Sequence, residues 1–444
     1  MKLAVQRSTL QGRVAIPGSK SHTIRMVALA ALAPGESEIA APLVSADTLS
    51  AASTYTALGA PVDTSATTAT ATSAASDTTA ATATTARWSV AGAAGRFTAP
   101  SNVLDVGNSG TTLRFALASA ALLPAGAAVF TGDDQIRSRP NGPLLKSLND
   151  LGAKAVSTRG TDRPPIVVQG RLAGGRTSME VISSQYLSAL LLAVPLADGD
   201  TEIEVTRLNE RPYVEMTLQY LDSHGIEYQN HNWQRFTIPG RQAYQPFSAR
   251  VPGDWSSATF FLVAGAILPG ELELTGLDPA DTQGDKAVVE MLRAMGAQIE
   301  MQQGLIRIRP GRLTGDELDL NATPDALPAL AVAACFAQGE TRLVNVPQAR
   351  FKETDRIAVM AQELTKFGAD VSELEDGLVI RGGKALHSAA VSGHDDHRVV
   401  MALSLAGMAI DGRTEIDTAQ AVRITFPQYV DLMRSVGARC DMIP

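Results

Sequence analysis

The phrases RAMGAQI (Arg293–Ile299) and TKFGADV (Thr365–Val371) are two copies of one sentence. Each closes a stretch of helical period, places Gly where a helix C-terminus favours left-handed backbone, and runs into a short strand. The sentence recurs as TALGAPV around Gly59, NDLGAKA around Gly152, DSHGIEY around Gly225 and RSVGARC around Gly437. The six glycines are separated by 93, 73, 71, 72 and 69 residues, and a fixed period of this kind marks a repeated architecture. The long first interval holds Asp63–Ala86, almost entirely Ala, Thr and Ser. With no aromatic or long aliphatic side chain it builds no core, and it reads as an insertion without chemistry, a surface loop or a strand pair.

A second phrase keeps step with the first: a polar cluster followed by a small-residue helical run. It appears at Ser19 (SKSHTIRMVALAAL), Gly107 (GNSGTTLRFALASAALL), Ser183 (SSQYLSALLLAVPL), Gly253 (GDWSSATFFLVAGAI), Thr323 (TPDALPALAVAACFA) and Gly393 (GHDDHRVVMALSLAGMA). Helices so rich in Ala and Leu, with few charges, are buried on most sides. Six units of about 70 residues, each with two helices and several short strands, exceed one Rossmann-like sheet and predict repeated α/β modules, each with one helix inside.

Composition bounds the rest. The chain has 444 residues, 45% hydrophobic and 19% charged, which predicts two or three globular domains and excludes a disordered or collagenous chain. Lys and Arg number 38 against 46 Asp and Glu, a net charge of −8, which speaks against binding nucleic acid by bulk charge. The two cysteines, Cys335 and Cys440, make neither a disulfide framework nor a zinc cluster. No apolar run reaches the roughly 18 residues of a membrane span, and the N-terminus lacks a signal-peptide core, so a cytoplasmic protein without membrane partners is expected.

The polar clusters are where chemistry is expected. A helix N-terminus carries free N–H groups and about half a positive charge. Several of them aimed at one cleft make an anion site even in an acidic protein. Lys20, Ser21 and Arg25 suit phosphate or carboxylate, or else cap a helix. Asn108, Gly110 and Thr111 sit where Gly lets a ligand approach the backbone, or form a plain turn. Arg137 and Arg139 are carboxylate clamps or surface charges. Ser183, Ser184 and Gln185 offer more polar groups than a cap needs. Arg211 and Tyr213 open a helix. Lys352, Glu353, Asp355 and Arg356 form the densest charge cluster and are expected to open a helix through Leu364. Asp325 reads as an N-cap alone and as a general base with cations nearby. His397 and Arg398 open the last apolar helix. GxSxG, HExxH and GxGxxG are absent, as is metal-ligand spacing.

Taken in order, PGSKSHTIR, GNSGTTLR, RSRPNG, SSQYLSALL, PDALPALAVAACFA, KETDRIAVMAQEL and DDHRVVMALSLA resemble the 5-enolpyruvylshikimate-3-phosphate synthase family from Gln11 to about Met433. The resemblance implies an α/β fold: a two-domain inside-out α/β barrel of six βαβαββ repeats, three per domain. It implies one domain from 1–18 and 251–444 and another from 19–250, carrying the insertion 63–86, with the site in the cleft between them. It implies transfer of a carboxyvinyl group from phosphoenolpyruvate to the 5-hydroxyl of shikimate 3-phosphate, with no metal or organic cofactor, by a monomer. Asp325 would accept the hydroxyl proton, Glu353 protonate the vinyl carbon and Lys20 assist the departing phosphate. Phosphoenolpyruvate would meet Lys20, Gly110, Arg139, Gln185, Arg356 and Arg398. Shikimate 3-phosphate would meet Lys20, Ser21, Arg25, Ser183, Ser184, Gln185, Tyr213, Asp325 and Lys352. Asn108, Thr111 and His397 would line the site.

Two positions depart from the family pattern. Ile424, between Arg423 and Thr425-Phe426-Pro427, stands where many members have a Lys that contacts phosphoenolpyruvate. Glu210 stands where many have a Ser on the substrate phosphate, and a carboxylate there repels phosphate unless it turns away. The herbicide glyphosate is expected to compete with phosphoenolpyruvate, Gly110 leaving it room. The sister enzymes that use UDP-N-acetylglucosamine carry a Cys on a loop in the first half of the chain. Here Cys335 lies in an Ala-rich helix and reads as a buried thiol.

Overall fold

All six glycines of the recurring phrase adopt positive φ, between +68° and +107°. Each ends a helix and hands the chain to a strand, as at Val288–Met295, Gly296 and Gln298–Gln302. A Cβ at Gly296 would lie 2.7 Å from the Arg312 carbonyl oxygen, so space as well as backbone angle requires glycine there. The computed structural model describes residues 1–66, 86–302 and 304–444, and most of the Ala/Thr-rich insertion lies outside the described residues. At its edges, Val62–Asp63 pairs antiparallel with Val90 and Ser89.

The described residues group into two units, 1–17 with 252–444, and 18–66 with 86–251. Among them are six four-stranded sheets, each with one parallel pair followed by two antiparallel pairings. One traces the scheme. Gly175–Val181 leads through the helix Ser184–Ala193 to its parallel neighbour Thr201–Leu208. The helix Arg211–Ser223 then leads to Gln229–His231 and Arg235–Ile238, which complete the sheet antiparallel. A parallel pair needs such a crossover, whereas the last two strands need only a turn.

In the unit 18–251 the inner helices are Lys20–Leu32, Gly110–Ala120 and Ser184–Ala193, buried along nearly their whole length. Their Ala, Ser and Thr positions let Gly110–Ala120 pack against both of the others. Trp88, Tyr55, Phe97, Phe115 and Phe130 fill the space beneath the sheets. In the other unit Trp255–Ile267, Leu327–Cys335 and His397–Ala409 play the same part. A Cβ at Gly407 would fall 2.4 Å from Val5 Cγ2, so this helix meets the sheet at a distance only Gly allows. The outer helices are two-faced: Arg356–Lys366 buries Ile357, Met360 and Leu364 and leaves its other side to charge. Among the described residues no helix is long and apolar enough to cross a membrane.

Candidate functional site

In the unit 18–251 the inner helices begin on serine caps. Ser19 Oγ accepts the His22 N–H, Ser109 Oγ that of Thr112, and Ser183 Oγ that of Gln185. A cap satisfies one of four N–H groups, so each helix start keeps its positive potential. Lys20 Nζ lies 3.2 Å from Oδ2 of the buried Asp47. Around Gly110 the groups converge tightly. Gln185 Nε2 donates to Thr111 Oγ1 at 3.1 Å, and Arg114 Nη1 donates to Gln185 Oε1 at 3.1 Å. A Cβ at Gly110 would lie 2.3 Å from Arg114 Nη1 and 2.9 Å from Arg139 Nη1. Asn108 Nδ2 donates to Asp133 and Gln135, both at 2.6 Å. Arg137 turns outward onto Asp134, whereas Arg139 is buried.

Arg25 is 1% exposed and fully engaged. It donates to Thr217 Oγ1 at 3.0 Å, to the Tyr213 carbonyl at 2.9 Å and to the Ser21 carbonyl at 3.1 Å. Burial lowers its pKa to about 10, against smaller raising effects from Tyr220 and Tyr213. It thereby ties together Ser21 and Tyr213. Glu210 is buried, with φ +56°, and its Oε2 accepts from Ser184 N–H at 3.1 Å and Ser184 Oγ at 2.7 Å. The carboxylate has turned onto Ser184, a residue to which the sequence resemblance gives shikimate 3-phosphate.

In the other unit, Arg356 organises everything. It is fully buried and donates from Nε and Nη2 to both oxygens of Asp396 (2.8 and 3.1 Å), from Nη1 to Asp325 (2.7 Å) and from Nη2 to Glu353 (2.5 Å). Arg398 Nη2 meets the other Asp325 oxygen at 3.0 Å, and Lys352 Nζ lies 3.9 Å from Asp325. Asp325 lies in the single 3-10 turn Pro324–Ala326 and is no N-cap; its carboxylate goes to the cations instead. Lys352 and Glu353 do not open the helix either. They sit in the bend before it, and Asp355 caps Arg356–Lys366 by accepting the Ala358 N–H at 3.1 Å. The bend lets both side chains reach Asp325 and Arg356, which a regular helix would direct to successive faces.

Burial alone would raise the pKa of Asp325, but Arg398, Lys352 and Arg356 hold its carboxyl well below the usual range, Glu353 opposing them. Asp396 is lowered in the same way, its burial outweighed by Arg356. Burial disfavours the charge of Arg356, yet Asp396, Glu353 and Asp325 keep it protonated at any accessible pH. His397 is 1% exposed, and burial pushes its pKa down to about 3 against the pull of Glu353 and Asp396, so the ring is neutral at pH 7. Asp396 Oδ1 caps its helix through the Arg398 N–H at 2.9 Å. The Cys335 thiol donates to the Ala331 carbonyl at 3.3 Å, and burial pushes its pKa up to about 12, which leaves no thiolate for nucleophilic work. At the departure near the C-terminus, Ile424 is half-buried at the end of a 3-10 turn and Arg423 beside it is exposed.

Three engaged residues escaped the sequence reading: Asp47, Arg114 and Asp396. Arg114 and Asp396 lie inside quoted motifs. Their signal was a charge within an otherwise apolar, buried run, which requires a partner. Asp47 gave no such signal.

The fold and these groups define an α/β protein that collects cations, helix starts and paired carboxylates for work on small polyanions. Comparison with known proteins narrows the class. The family model described as EPSP synthase (3-phosphoshikimate 1-carboxyvinyltransferase) matches residues 5–433. A 3-phosphoshikimate 1-carboxyvinyltransferase of Ruminiclostridium cellulolyticum is 52% identical, covering 100% of both chains, and one of Acetivibrio thermocellus is 51% identical, covering 99% of both. The solved EPSP synthase of Acinetobacter baumannii superposes with a TM-score of 0.79 at 26% identity, covering 99% of both chains. The chain belongs to the EPSP synthase family.

Proposed function

We propose that the chain transfers the enolpyruvyl group of phosphoenolpyruvate to the 5-hydroxyl of shikimate 3-phosphate, releasing phosphate, as a step of the shikimate pathway toward chorismate and the aromatic amino acids. The observation that carries this reading is the set of Asp325 and Glu353 on one buried guanidinium, flanked by Arg398 and Lys352. The full-length relatives named for this activity support it.

The reaction adds the hydroxyl oxygen to C2 of phosphoenolpyruvate while C3 gains a proton. The resulting tetrahedral phospho-ketal then loses that C3 proton and expels phosphate. Asp325 accepts the hydroxyl proton, Glu353 delivers and retrieves the C3 proton, and Lys20 neutralises the departing phosphate. Arg356, Arg398, Arg139, Gln185 and the Gly110 backbone hold phosphoenolpyruvate. Lys20, Ser21, Arg25, Ser183, Ser184, Gln185, Tyr213, Asp325 and Lys352 hold shikimate 3-phosphate, and Asn108, Thr111 and neutral His397 line the site. A carboxylate held by three cations is a weak base. An anionic substrate drawn to Arg398 and Lys352 takes over part of their charge, so Asp325 gains basicity as the complex forms.

The reading extends to the architecture and setting. The six sheets and their helices are six βαβαββ repeats, three in each of the domains 1–18 with 251–444 and 19–250, wound as inside-out barrels. The enzyme is a cytoplasmic monomer that needs no cofactor, and glyphosate competes with phosphoenolpyruvate. The test is phosphate release from phosphoenolpyruvate with shikimate 3-phosphate, UDP-N-acetylglucosamine serving as the control acceptor. Release with shikimate 3-phosphate alone, lost in Asp325→Asn and Glu353→Gln, upholds the assignment. Release with the control acceptor, or with neither, overturns it.

A further inference from the structure

The loop that delivers Asp396, His397 and Arg398 is unusual in its backbone. His394 and Asp395, consecutive and not glycine, stand at φ +52° and +54°. Left-handed backbone is unfavourable for such residues and persists where surroundings over-determine it. Several groups pin the loop. Asp417 accepts from Ser392 Oγ at 2.7 Å and Gly393 N–H at 2.9 Å, and Thr418 Oγ1 accepts the Asp395 N–H at 2.9 Å. Glu363 is fully buried. Its Oε2 accepts the Ser392 N–H at 2.9 Å, its Oε1 lies 2.8 Å from His394 Nε2, and Lys366 Nζ reaches both oxygens at 2.8 Å. Hydrogen bonds to the ionised carboxyl hold its pKa below the ordinary value although burial opposes them.

Glu363 lies on the helix Arg356–Lys366, seven residues after Arg356. Positions i and i+7 share one helix face, about 10 Å apart along the axis. One face therefore grips the loop twice, Glu363 at its entrance through Ser392 and His394, and Arg356 at its exit through Asp396. The two grips differ in what else they do. Arg356 also serves Asp325 and Glu353, whereas Glu363 turns to the loop and Lys366.

We propose that Glu363 and His394 are positioning residues that fix the left-handed turn at 394–395 and thereby aim Arg398 at its anionic substrate. The inference rests on the function proposed above. It assigns a task to a buried acid and a histidine that touch none of the reacting groups. The Glu363 anchor holds the loop when an anion competes for Arg356, the other grip.

His394 is partly exposed, so His394→Ala leaves the core intact, and His394→Gln retains an N–H able to donate to Glu363. Two readouts are needed: steady-state kinetics, and amide hydrogen exchange over residues 392–398, which requires no turnover. In His394→Ala, KM for phosphoenolpyruvate is expected to rise about tenfold, with KM for shikimate 3-phosphate within about twofold of wild type. Exchange of the loop amides should accelerate about tenfold or more. His394→Gln should restore most of both. Unchanged loop exchange in His394→Ala, an unchanged KM for phosphoenolpyruvate in an active enzyme, or a His394→Gln as impaired as the alanine variant would overturn the proposal. A wild-type protein without transferase activity whose loop still loosens in His394→Ala would fault the assigned reaction and uphold the anchor.

Discussion

Replacing Arg356 by Met tests the electrostatic centre of the site. The change removes the guanidinium that meets Asp396 through two bonds, Asp325 through one and Glu353 through one. Asp396 is fully buried and loses its cation, while Asp325 keeps Arg398 and Lys352. The dominant loss is therefore the Asp396 pair, and breaking a buried pair from one side costs about 3–5 kcal/mol. Arg356→Lys keeps the charge but cannot span three carboxylates with one ammonium, so it loses at least two charge-assisted bonds and falls near the lower end of that range. Asp396→Asn in the Met background removes the uncompensated charge, so the double variant should be more stable than the two single losses add up to, by about 1–3 kcal/mol. Urea unfolding of wild type, Arg356→Met, Arg356→Lys, Asp396→Asn and the double variant, with m-values compared, reads these numbers. A loss below about 1 kcal/mol in Arg356→Met, or single effects that simply add, would refute the reasoning.

Protonation of His397 provides a second test. The folded ring resists protonation down to about pH 3, whereas the unfolded ring takes its proton near pH 6.5. Below pH 6.5 the unfolded chain binds the extra proton, so stability falls as pH falls, by up to about 1.4 kcal/mol per unit. His397→Leu should flatten this slope between pH 6.5 and about 5, above the range where carboxyls titrate in the unfolded chain, leaving the smaller contribution of His224, also lowered by burial. Parallel stability curves for the two proteins would count against it. Gly110→Ala places a Cβ 2.3 Å from Arg114 Nη1, and Arg114 is held by Asn141 and by Tyr186 beneath it. The bond from Arg114 to Gln185 should break, raising KM for phosphoenolpyruvate about ten- to a hundredfold and, because Gln185 is also assigned to shikimate 3-phosphate, KM for that substrate by a smaller factor. An unchanged KM would show that the guanidinium yields freely.

What the sequence makes legible is what short-range geometry decides. Gly59, Gly152, Gly225, Gly296, Gly368 and Gly437 announce the helix ends because left-handed backbone is a local demand, and the inner helices announce themselves by small residues. The site was legible as clusters but not as bonds. Nothing near Asp325 in the chain says that its carboxylate will face Arg356 and Arg398, 31 and 73 residues on. That pairing turns an apparent helix cap into a shared counter-ion. Glu353 and Asp355 suit a helix start because acids there fit the dipole, but only Asp355 caps the helix; Lys352 and Glu353 lie in the bend before it, where their contacts are with Asp325 and Arg356. Glu363 gave no signal, since one acid on an amphipathic helix looks solvated until the loop from 392 covers it.

The first strand, Lys2–Gln6, lies inside its sheet, hydrogen-bonded to Arg413–Ile416 on one side and Arg439–Ile443 on the other. On a ribosome adding about 5–20 residues per second, the roughly 400 residues between Gln6 and Arg413 take about 20–80 seconds to appear. Through that interval the strand waits with both edges unpaired, a template for pairing with other chains. The stretch 18–251 emerges in one piece and can complete its three sheets first. The order of synthesis therefore makes the amino-terminal strand the last structural piece to be secured, and the time a nascent chain spends unfinished falls on its earliest residues.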